Sequence, residues 1–314
     1  ALALGACAPL PTQSSAWTPP PNDPRFAAIE QRIGGRVGVA ALNTVTGDWI
    51  GRRIQERFAM CSTFKWLLAA HMLHLDAHRP GYREQSMRFT SADLLEYAPV
   101  TRARMNGGTG EMTIEELCSA AVVMSDNTAA NLLLRVAGGP EGLTGFLRST
   151  GDGVTRLDRT EPSLNNVPLG DERDTTSPEA MVRSLQRILL QEGVLPPAHR
   201  ERLISWMVES PTGRERLRAG IPSSWRVGDK TGTWTGENNV ANDVAIAWPS
   251  NGGAPIVIAS YLHATTVDAT ARNAAHTEIA RIIVVLPAPL EPSRVTSSPC
   301  RTTSETPCSA SILP

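Results

Sequence analysis

Strand-like segments lie at both ends of this chain and helix-like segments lie between them, an order that restricts the possible folds more than any other feature. Apolar and β-branched runs bounded by turn residues occur at residues 37–42, 49–53, 226–233, 244–248 and 255–264. Helical periodicity and capping signals predict helices at residues 26–33, 62–78, 113–124, 127–136, 177–190 and 269–286. We therefore predict an α+β fold, with a three-layer α/β/α part whose antiparallel sheet comes from both termini, plus an all-helical domain. The functional site is expected between the two.

The same pattern divides the chain into segments. Residues 25–60 and 205–286 are predicted to form the α/β domain, and residues 61–204 the all-α domain. Within the latter, residues 148–176 show little periodicity, and a loop of that length in a compact domain is usually functional. Residues 1–24 resemble a signal-peptide remnant and linker, and the Pro/Ser/Thr-rich residues 287–314 are predicted to be disordered.

The N-terminal stretch predicts export. Leu4-Gly5-Ala6-Cys7 resembles a bacterial lipobox, in which Cys7 would carry a lipid anchor, and cleavage after one of the small residues is the alternative. Either interpretation gives an exported protein, periplasmic or a membrane-anchored lipoprotein. Two of the remaining cysteines, Cys61 and Cys118, lie within the predicted fold, where we expect buried free thiols.

Composition excludes several classes of partner. The net charge of −1 provides no basic surface for nucleic acid. Five Phe and three Tyr provide no aromatic platform on which bases could stack. No apolar run approaches the roughly 20 residues that span a bilayer. We expect a monomer that acts on a small molecule.

Lysine is almost absent from the chain. Lys and Arg together number 30, and only Lys65 and Lys230 are lysines. Arginine stays protonated at any working pH, whereas a buried lysine can lose its proton. We therefore predict that two positions require lysine chemistry. Lys65 lies one helical turn after Ser62, so its amine can reach that hydroxyl.

Four short motifs carry the candidate chemistry. They are Ser62-Thr63-Phe64-Lys65, Ser125-Asp126-Asn127, the Glu161…Asn165 pair, and Lys230-Thr231-Gly232-Thr233. An isolated S-x-x-K is more often a helix cap beside a solvated charge. In this order and number, however, the motifs resemble those of class A serine β-lactamases.

The resemblance extends from the hairpin near residue 37 to the helix ending near residue 286, and it implies a role for each catalytic residue. Ser62 would attack the lactam and form an acyl-enzyme, with Lys65 and Glu161 as the two candidate bases for this step. Glu161 and Asn165 would hold the water that hydrolyses the acyl-enzyme. Ser125 would pass a proton towards the lactam nitrogen.

The resemblance also implies how substrate would bind. The backbone N–H groups of Ser62 and Thr233 would stabilise the oxyanion. Residues that would contact the rest of the substrate are Tyr97 at the entrance, Asn127 at the side-chain amide, and Arg216, Lys230, Thr231, Gly232 and Thr233 around the carboxylate. Arg159 and Asp174 match a pair that clamps the neck of the 148–176 loop. No cofactor or metal is implied, and His71, His74 and His78 are interpreted as packing or surface residues.

Two alternatives remain open from the sequence. A D-alanyl-D-alanine peptidase or penicillin-binding protein would share Ser62, Lys65, Ser125 and Lys230, and it would lack Glu161 and Asn165 in a loop of this length. A non-catalytic β-lactam receptor would form a stable adduct. The favoured prediction is a metal-free serine β-lactamase that hydrolyses penicillins and cephalosporins.

Overall fold

A computed structural model describes residues 18–285 of the chain. The predicted signal remnant, the lipidation site at Cys7 and the predicted disordered tail at 287–314 lie wholly or largely outside these residues. The described helices are α1 Pro24–Ile33, α2 Phe64–His78, α3 Pro99–Ala103, α4 Ile114–Val123, α5 Asn127–Val136, α6 Gly139–Ser149, α7 Pro178–Leu189, α8 Pro197–Glu209, α9 Leu217–Gly220 and α10 Ala269–Ile283. The strands are β1 Arg36–Asn43, β2 Trp49–Arg52, β3 Phe58–Ala59, β4 Ser86–Thr90, β5 Thr109–Thr113, β6 Thr175–Thr176, β7 Arg226–Trp234, β8 Val240–Trp248 and β9 Ile256–His263.

The main sheet is antiparallel and joins strands from both ends of the chain. Its order is β2-β1-β9-β8-β7, and its registers place Val39 opposite Ser260 and Lys230 opposite Val244. The predicted α+β class with a sheet built from the two termini is confirmed.

Apolar residues cover both faces of this sheet. Along β1, Val37 and Val39 face a core shared with α1 and α10, whereas Ala40 and Leu42 face the larger core shared with the helices of the middle segment. Side chains alternate in this way because successive residues of a strand point to opposite faces. The sheet therefore forms the central layer of three.

The helix α2 runs through the centre of the helical layer. Nearly all its residues from Phe64 to Leu73 are buried, including Trp66, so it packs on all sides instead of presenting one apolar stripe. The next predicted helix begins at a capping box: the Thr113 hydroxyl accepts from Glu116 N at 3.1 Å, and Glu116 accepts from Thr113 N at 2.9 Å.

Several elements were not predicted. The helix α6 begins at Gly139, directly after Gly138 in a left-handed conformation, so the two glycines separate two helices and do not open a loop. The two-stranded sheet β4–β5 is largely exposed and lacks a clear apolar alternation. The helix α8 begins at Pro197, the second proline of a Pro-Pro pair, and it contains residues 204 and 205, where the predicted domain boundary lies.

Other differences are at the ends of elements. The predicted helix at 62–78 starts with a 3₁₀ turn, Cys61–Thr63, and becomes α-helical at Phe64. Cys61 and Cys118 are buried free thiols, as expected. Within residues 18–285, no helix is both long enough and apolar enough to cross a membrane.

Candidate active site

The start of α2 places Ser62 and Lys65 at the junction of the sheet and the helical layer. Lys65 is fully buried, and its Nζ donates to Ser125 O at 2.8 Å and Asn127 Oδ1 at 2.5 Å and pairs with Glu161 Oε1 at 3.0 Å. The Ser62 hydroxyl donates to the same Glu161 oxygen at 3.3 Å. The serine and the lysine thus both contact Glu161 Oε1. Their spacing predicted a direct contact between them, and the structure instead connects them through this shared oxygen.

Glu161 is held at both its side chain and its main chain. Asn165 Nδ2 donates to Glu161 Oε2 at 2.6 Å, so each carboxylate oxygen has a partner. The side chain of Asn131 in α5 brackets the backbone: its Nδ2 donates to Glu161 O and its Oδ1 accepts from Glu161 N, both at 2.9 Å. The Glu161–Pro162 peptide bond is cis, a point that the sequence left open.

Asn131 is a site residue that the sequence analysis did not single out. It lies within residues 124–131, which also contain Ser125 and Asn127. Its side chain acts only on main-chain atoms 30 residues further along the chain. Its position one turn after Asn127 on α5, facing the site, is the signal that could have identified it.

The second lysine supports Ser125. Lys230, on β7, is fully buried, and its Nζ donates to Ser125 Oγ at 2.9 Å and Thr231 O at 2.8 Å. Ser125 has a left-handed backbone (φ 58°), unusual for a residue other than Gly, Asn or Asp. The two lysines therefore hold Ser125 from opposite sides, one at its carbonyl and one at its hydroxyl.

Burial shifts both lysines towards the neutral amine. Desolvation lowers the pKa of Lys65, although the negative charge of Glu161 opposes the shift. Desolvation lowers the pKa of Lys230 further below its ordinary value, and the nearby positive charge of Lys65 acts in the same direction. An arginine at either position would not respond in this way.

The neck of the 148–176 loop is closed by Asp174. Its Oδ1 accepts from the backbone N–H groups of Asp158 and Arg159 at 2.8 and 2.9 Å, and its Oδ2 accepts from Arg159 Nε at 2.6 Å. Asp174 is completely buried while Arg159 remains partly exposed. This cluster fixes the chain just before Glu161.

Arg216 lies beside β7 and points at Thr233. It donates to Thr233 Oγ1 at 2.7 Å, Asn242 O at 2.7 Å and Gly232 O at 3.1 Å. Of its two neighbouring arginines, Arg214 is exposed and Arg218 pairs with the buried Asp229. Arg216 is thus the member of this trio with a guanidinium at the site.

Gly232 lets β7 approach the start of α2. A Cβ on this residue would lie 2.7 Å from Met60 O and 3.2 Å from Ser62 N, closer than a side chain tolerates. The close approach brings the main chain of Thr233 next to that of Ser62. Backbone N–H groups from these two residues can therefore face one oxygen atom.

These residues surround a cavity of about 660 Å³. Nine residues predicted from the sequence line it: Ser62, Tyr97, Ser125, Asn127, Asn165, Arg216, Thr231, Gly232 and Thr233. Lys65, Glu161 and Lys230 are buried behind this wall and reach it through the contacts given above. Tyr97 stands at the rim, 50% exposed. Leu95, Glu96, Pro162 and Thr212 also line the cavity and were not predicted to do so. Trp234, the residue directly after the Lys230–Thr233 motif, lines its edge.

Comparisons with known proteins identify the family of this chain. Residues 23–285 match the model of the Beta-lactamase enzyme family. The chain is 47% identical to Beta-lactamase L2 of Stenotrophomonas maltophilia over 82% of this chain and 83% of that protein. It is 44% identical to Carbapenem-hydrolyzing beta-lactamase KPC of Klebsiella oxytoca over 77% and 81% of the two chains. The solved structure of an ancestral Gram-negative class A β-lactamase matches with a TM-score of 0.78 at 50% identity, over 83% of this chain and 98% of that one.

Proposed function

Because this chain belongs to the class A β-lactamases, hydrolases that open the cyclic amide of β-lactams, we propose that it hydrolyses penicillins and cephalosporins through an acyl-enzyme on Ser62. One observation carries the proposal: Ser62 Oγ and Lys65 Nζ meet at one oxygen of Glu161, at 3.3 and 3.0 Å, while Asn165 holds the other oxygen. A nucleophile, a base and a water-holding pair are thereby in one cluster.

In acylation, Ser62 Oγ bonds to the lactam carbonyl carbon as its proton leaves. Glu161 receives the hydrogen bond of the hydroxyl, and Lys65 can serve as base once it has passed a proton to Glu161. Both routes remain candidates, and in both the proton is kept within the Ser62–Lys65–Glu161 cluster.

The lactam carbonyl oxygen, which becomes negatively charged in this step, would lie between β7 and the start of α2. The backbone N–H groups of Ser62 and Thr233 would donate to this oxygen, and the close approach of β7 at Gly232 supports their joint use. Fixed donors of this kind need no reorganisation during the reaction.

When the C–N bond of the lactam breaks, its nitrogen needs a proton. Ser125 is suited to supply it because its hydroxyl lines the cavity and accepts a hydrogen bond from Lys230 Nζ. The proton given up by Ser125 would be replaced through Lys230 or Lys65, whose pKa values are both lowered by burial.

Deacylation depends on Glu161 and Asn165. A water molecule between them would give a proton to the Glu161 carboxylate as its oxygen bonds to the acyl carbon. The bond from this carbon to Ser62 Oγ then breaks, and Ser62 Oγ takes up a proton from Lys65 or Glu161, which releases the free serine and the open, acidic product. Asn165 lines the cavity beside Pro162, so water at this position faces the acyl group on Ser62.

Three further contacts would orient the substrate. Arg216, together with Thr231 and Thr233 near Lys230, would bind its carboxylate. The Asn127 side chain uses Oδ1 to accept from Lys65, so its Nδ2 can donate to the substrate amide. Tyr97 would pack against the substrate at the entrance.

The substitution Glu161→Ala tests this assignment. We expect incubation with benzylpenicillin to give a covalent adduct by mass spectrometry that persists, because acylation still proceeds and the deacylating base is gone. Glu172→Ala, an exposed acid in the same loop, is the matched control and should turn over normally. Unchanged turnover of Glu161→Ala without an adduct would refute the role given to Glu161.

The wild-type enzyme in the same assay addresses the rival functions. A β-lactamase releases penicilloate in many turnovers, whereas a β-lactam receptor or a penicillin-binding protein keeps a stoichiometric adduct. A long-lived wild-type adduct without released product would contradict hydrolysis.

We also propose that the enzyme is an exported monomer, located in the periplasm or anchored through a lipid on Cys7. The apolar, small-residue stretch before the linker supports export. Fractionation of cells that express the full precursor, with and without Cys7→Ala, would show whether the membrane-bound fraction depends on this cysteine.

A further inference from the structure

A second cavity lies away from the catalytic site, between α7 and the segment at residues 151–154. Its volume is about 280 Å³, and its wall includes Gln55, Gly151, Asp152, Gly153, Arg183 and Arg187. It shares no lining residue with the substrate cavity. The reaction proposed above therefore leaves its charged groups without an assigned role.

Arg187 is the unusual member of this wall. Its Nη1 is sealed from solvent without a hydrogen-bond acceptor, and no ion pair or hydrogen bond to Arg187 occurs within residues 18–285. Its guanidinium lies against Gly151, where a Cβ would be 3.4 Å from Nη1. A charged donor left unbonded in a buried position loses its hydration without compensation.

The carboxylates of the wall already have partners. Asp152 accepts from the backbone N–H groups of Val154 and Thr155, both at 2.9 Å, and from the Ser184 hydroxyl at 3.0 Å. Glu179 accepts from Arg183 Nε at 2.7 Å and from Gln55 Nε2 at 3.2 Å. Neither acid is placed to pair with Arg187.

Two more arginines support the same wall from behind. Arg148 Nη1 donates to Asp152 O at 2.5 Å and Thr155 O at 2.7 Å, and Arg57 Nη1 donates to Val154 O at 3.0 Å. Arg57 has Glu172 at 3.8 Å, whereas no carboxylate pairs with Arg148 in the described part of the chain. Cations therefore outnumber the acids around the 151–155 segment.

We propose that this cavity is an anion site that binds a small oxyanion, a phosphate or a carboxylate group, with Arg187 as the main contact. A planar guanidinium matches such a group with two parallel hydrogen bonds, and its partial burial strengthens the interaction. The site is independent of β-lactam hydrolysis.

Titration of the ¹⁵N-labelled enzyme with inorganic phosphate and, separately, with malonate, at constant ionic strength, tests the proposal. We expect saturable shifts of the Gly151 and Gly153 amide signals with at least one of the two anions, and the anion that saturates identifies the ligand class. Arg187→Gln should weaken the apparent affinity by about tenfold or more. Arg88→Gln, at a side chain 86% exposed on strand β4, should leave it unchanged.

A second variant covers the case in which Arg187→Gln does not fold. A Cβ on Gly153 meets open space, so Gly153→Asp adds a carboxylate to the wall without a clash and should also abolish saturation, read at the Gly151 amide signal. Arg216→Gln removes the anion contact of the catalytic site and should leave the Gly151 and Gly153 shifts intact. The proposal fails if neither anion saturates these signals, if the shifts disappear with Arg216→Gln, or if a folded Arg187→Gln binds as the wild type does.

Discussion

At the scale of single residues, the two lysines are used for different purposes although both are fully buried. Lys65 pairs with Glu161, so its charge is compensated inside the protein. Lys230 contacts a hydroxyl and a carbonyl, both neutral. Lys65 is thus suited to exchange protons with a carboxylate, and Lys230 to hold an anion or a hydroxyl group.

The substitution Lys65→Arg should separate charge from proton transfer. Arginine keeps the positive charge beside Glu161 and cannot give up its proton, so we expect kcat/KM for benzylpenicillin to fall by about 10² to 10⁴. Stopped-flow measurement of acyl-enzyme formation, with circular dichroism to verify the fold, checks this. Acylation at the wild-type rate would exclude Lys65 from proton transfer.

Asn131→Asp should affect Glu161 without touching the substrate. The aspartate keeps an acceptor for Glu161 N and loses the donor to Glu161 O. One of its carboxylate oxygens then faces the carbonyl oxygen of Glu161. We expect deacylation to slow and the acyl-enzyme to accumulate, with a stability loss of about 1–3 kcal/mol. Single-turnover kinetics and urea unfolding measure the two effects, and a loss of stability with unchanged deacylation would assign Asn131 to the fold alone.

The residues of the proposed site could be identified in the sequence because most of them occur in short motifs. Their mutual geometry could not. The hydrogen bond of Ser62 to Glu161 spans 99 residues, and Asn131 acts through backbone atoms that no motif marks. Leu95 and Thr212 reach the cavity only because separate elements pack together.

At the scale of elements, the 148–176 loop depends on the Asp174 cluster at its neck. In Asp174→Asn, one oxygen can still accept the two backbone N–H groups, and the new NH₂ group faces the Arg159 donor. We expect deacylation to slow and stability to fall by about 1–3 kcal/mol. Asp171→Asn, in the same loop and paired only with its neighbour Arg173, is the control. Equal rates for both variants would show that the neck does not position Glu161.

Glu30 in α1 pairs with Arg52 and Arg53, which attaches the helix to the sheet. This contact should make the free energy of unfolding depend on pH in the acid range. Burial alone would raise the pKa of Glu30, but hydrogen bonds from Arg53, Arg52 and the Val37 N–H hold it at about 2, below the ordinary 4.5. A lowered folded-state pKa contributes stability above pH 4.5, and that contribution is lost as the pH falls towards 2.

Glu30→Gln should therefore be less stable than the wild type at neutral pH, and the difference should shrink between pH 4.5 and 2. Urea unfolding across this range measures it. Glu278→Gln removes an exposed pair with Arg32 and should change stability by less than about 0.5 kcal/mol. A constant difference between Glu30→Gln and the wild type at all pH values would contradict the assignment.

Helices and strands with strong periodicity could be predicted, and those without it could not. The capping box at Thr113 and the apolar run of α2 identified their helices. The pair β4–β5 escaped prediction because its stability comes from pairing and not from a local apolar pattern. The helix α6 was not predicted because Gly138 ends the helical run of α5 directly before α6 begins.

At the scale of the whole molecule, the helical layer and the sheet share one large core. This core includes α2 and α8 residues such as Trp66 and Trp206, together with the sheet residues Leu42, Val257 and Tyr261. The sequence predicted two domains from the order of its patterns. It could not predict how much of the apolar surface of each would be buried against the other, since that depends on the register and packing of distant segments.

Because the core is shared, we predict that the described fold unfolds as one cooperative unit. Unfolding the helical layer alone would expose the sheet face at Val257 and Tyr261, and burial of such side chains contributes about 1.5–3 kcal/mol each. Guanidinium unfolding followed by far-UV circular dichroism and by tryptophan fluorescence should give coincident transitions. Trp66 and Trp206 report on the helical layer, and Trp248 ends a strand of the sheet. Two separated transitions would instead mean that the layers are independent domains, and a catalytic site shared between them could then open without global unfolding.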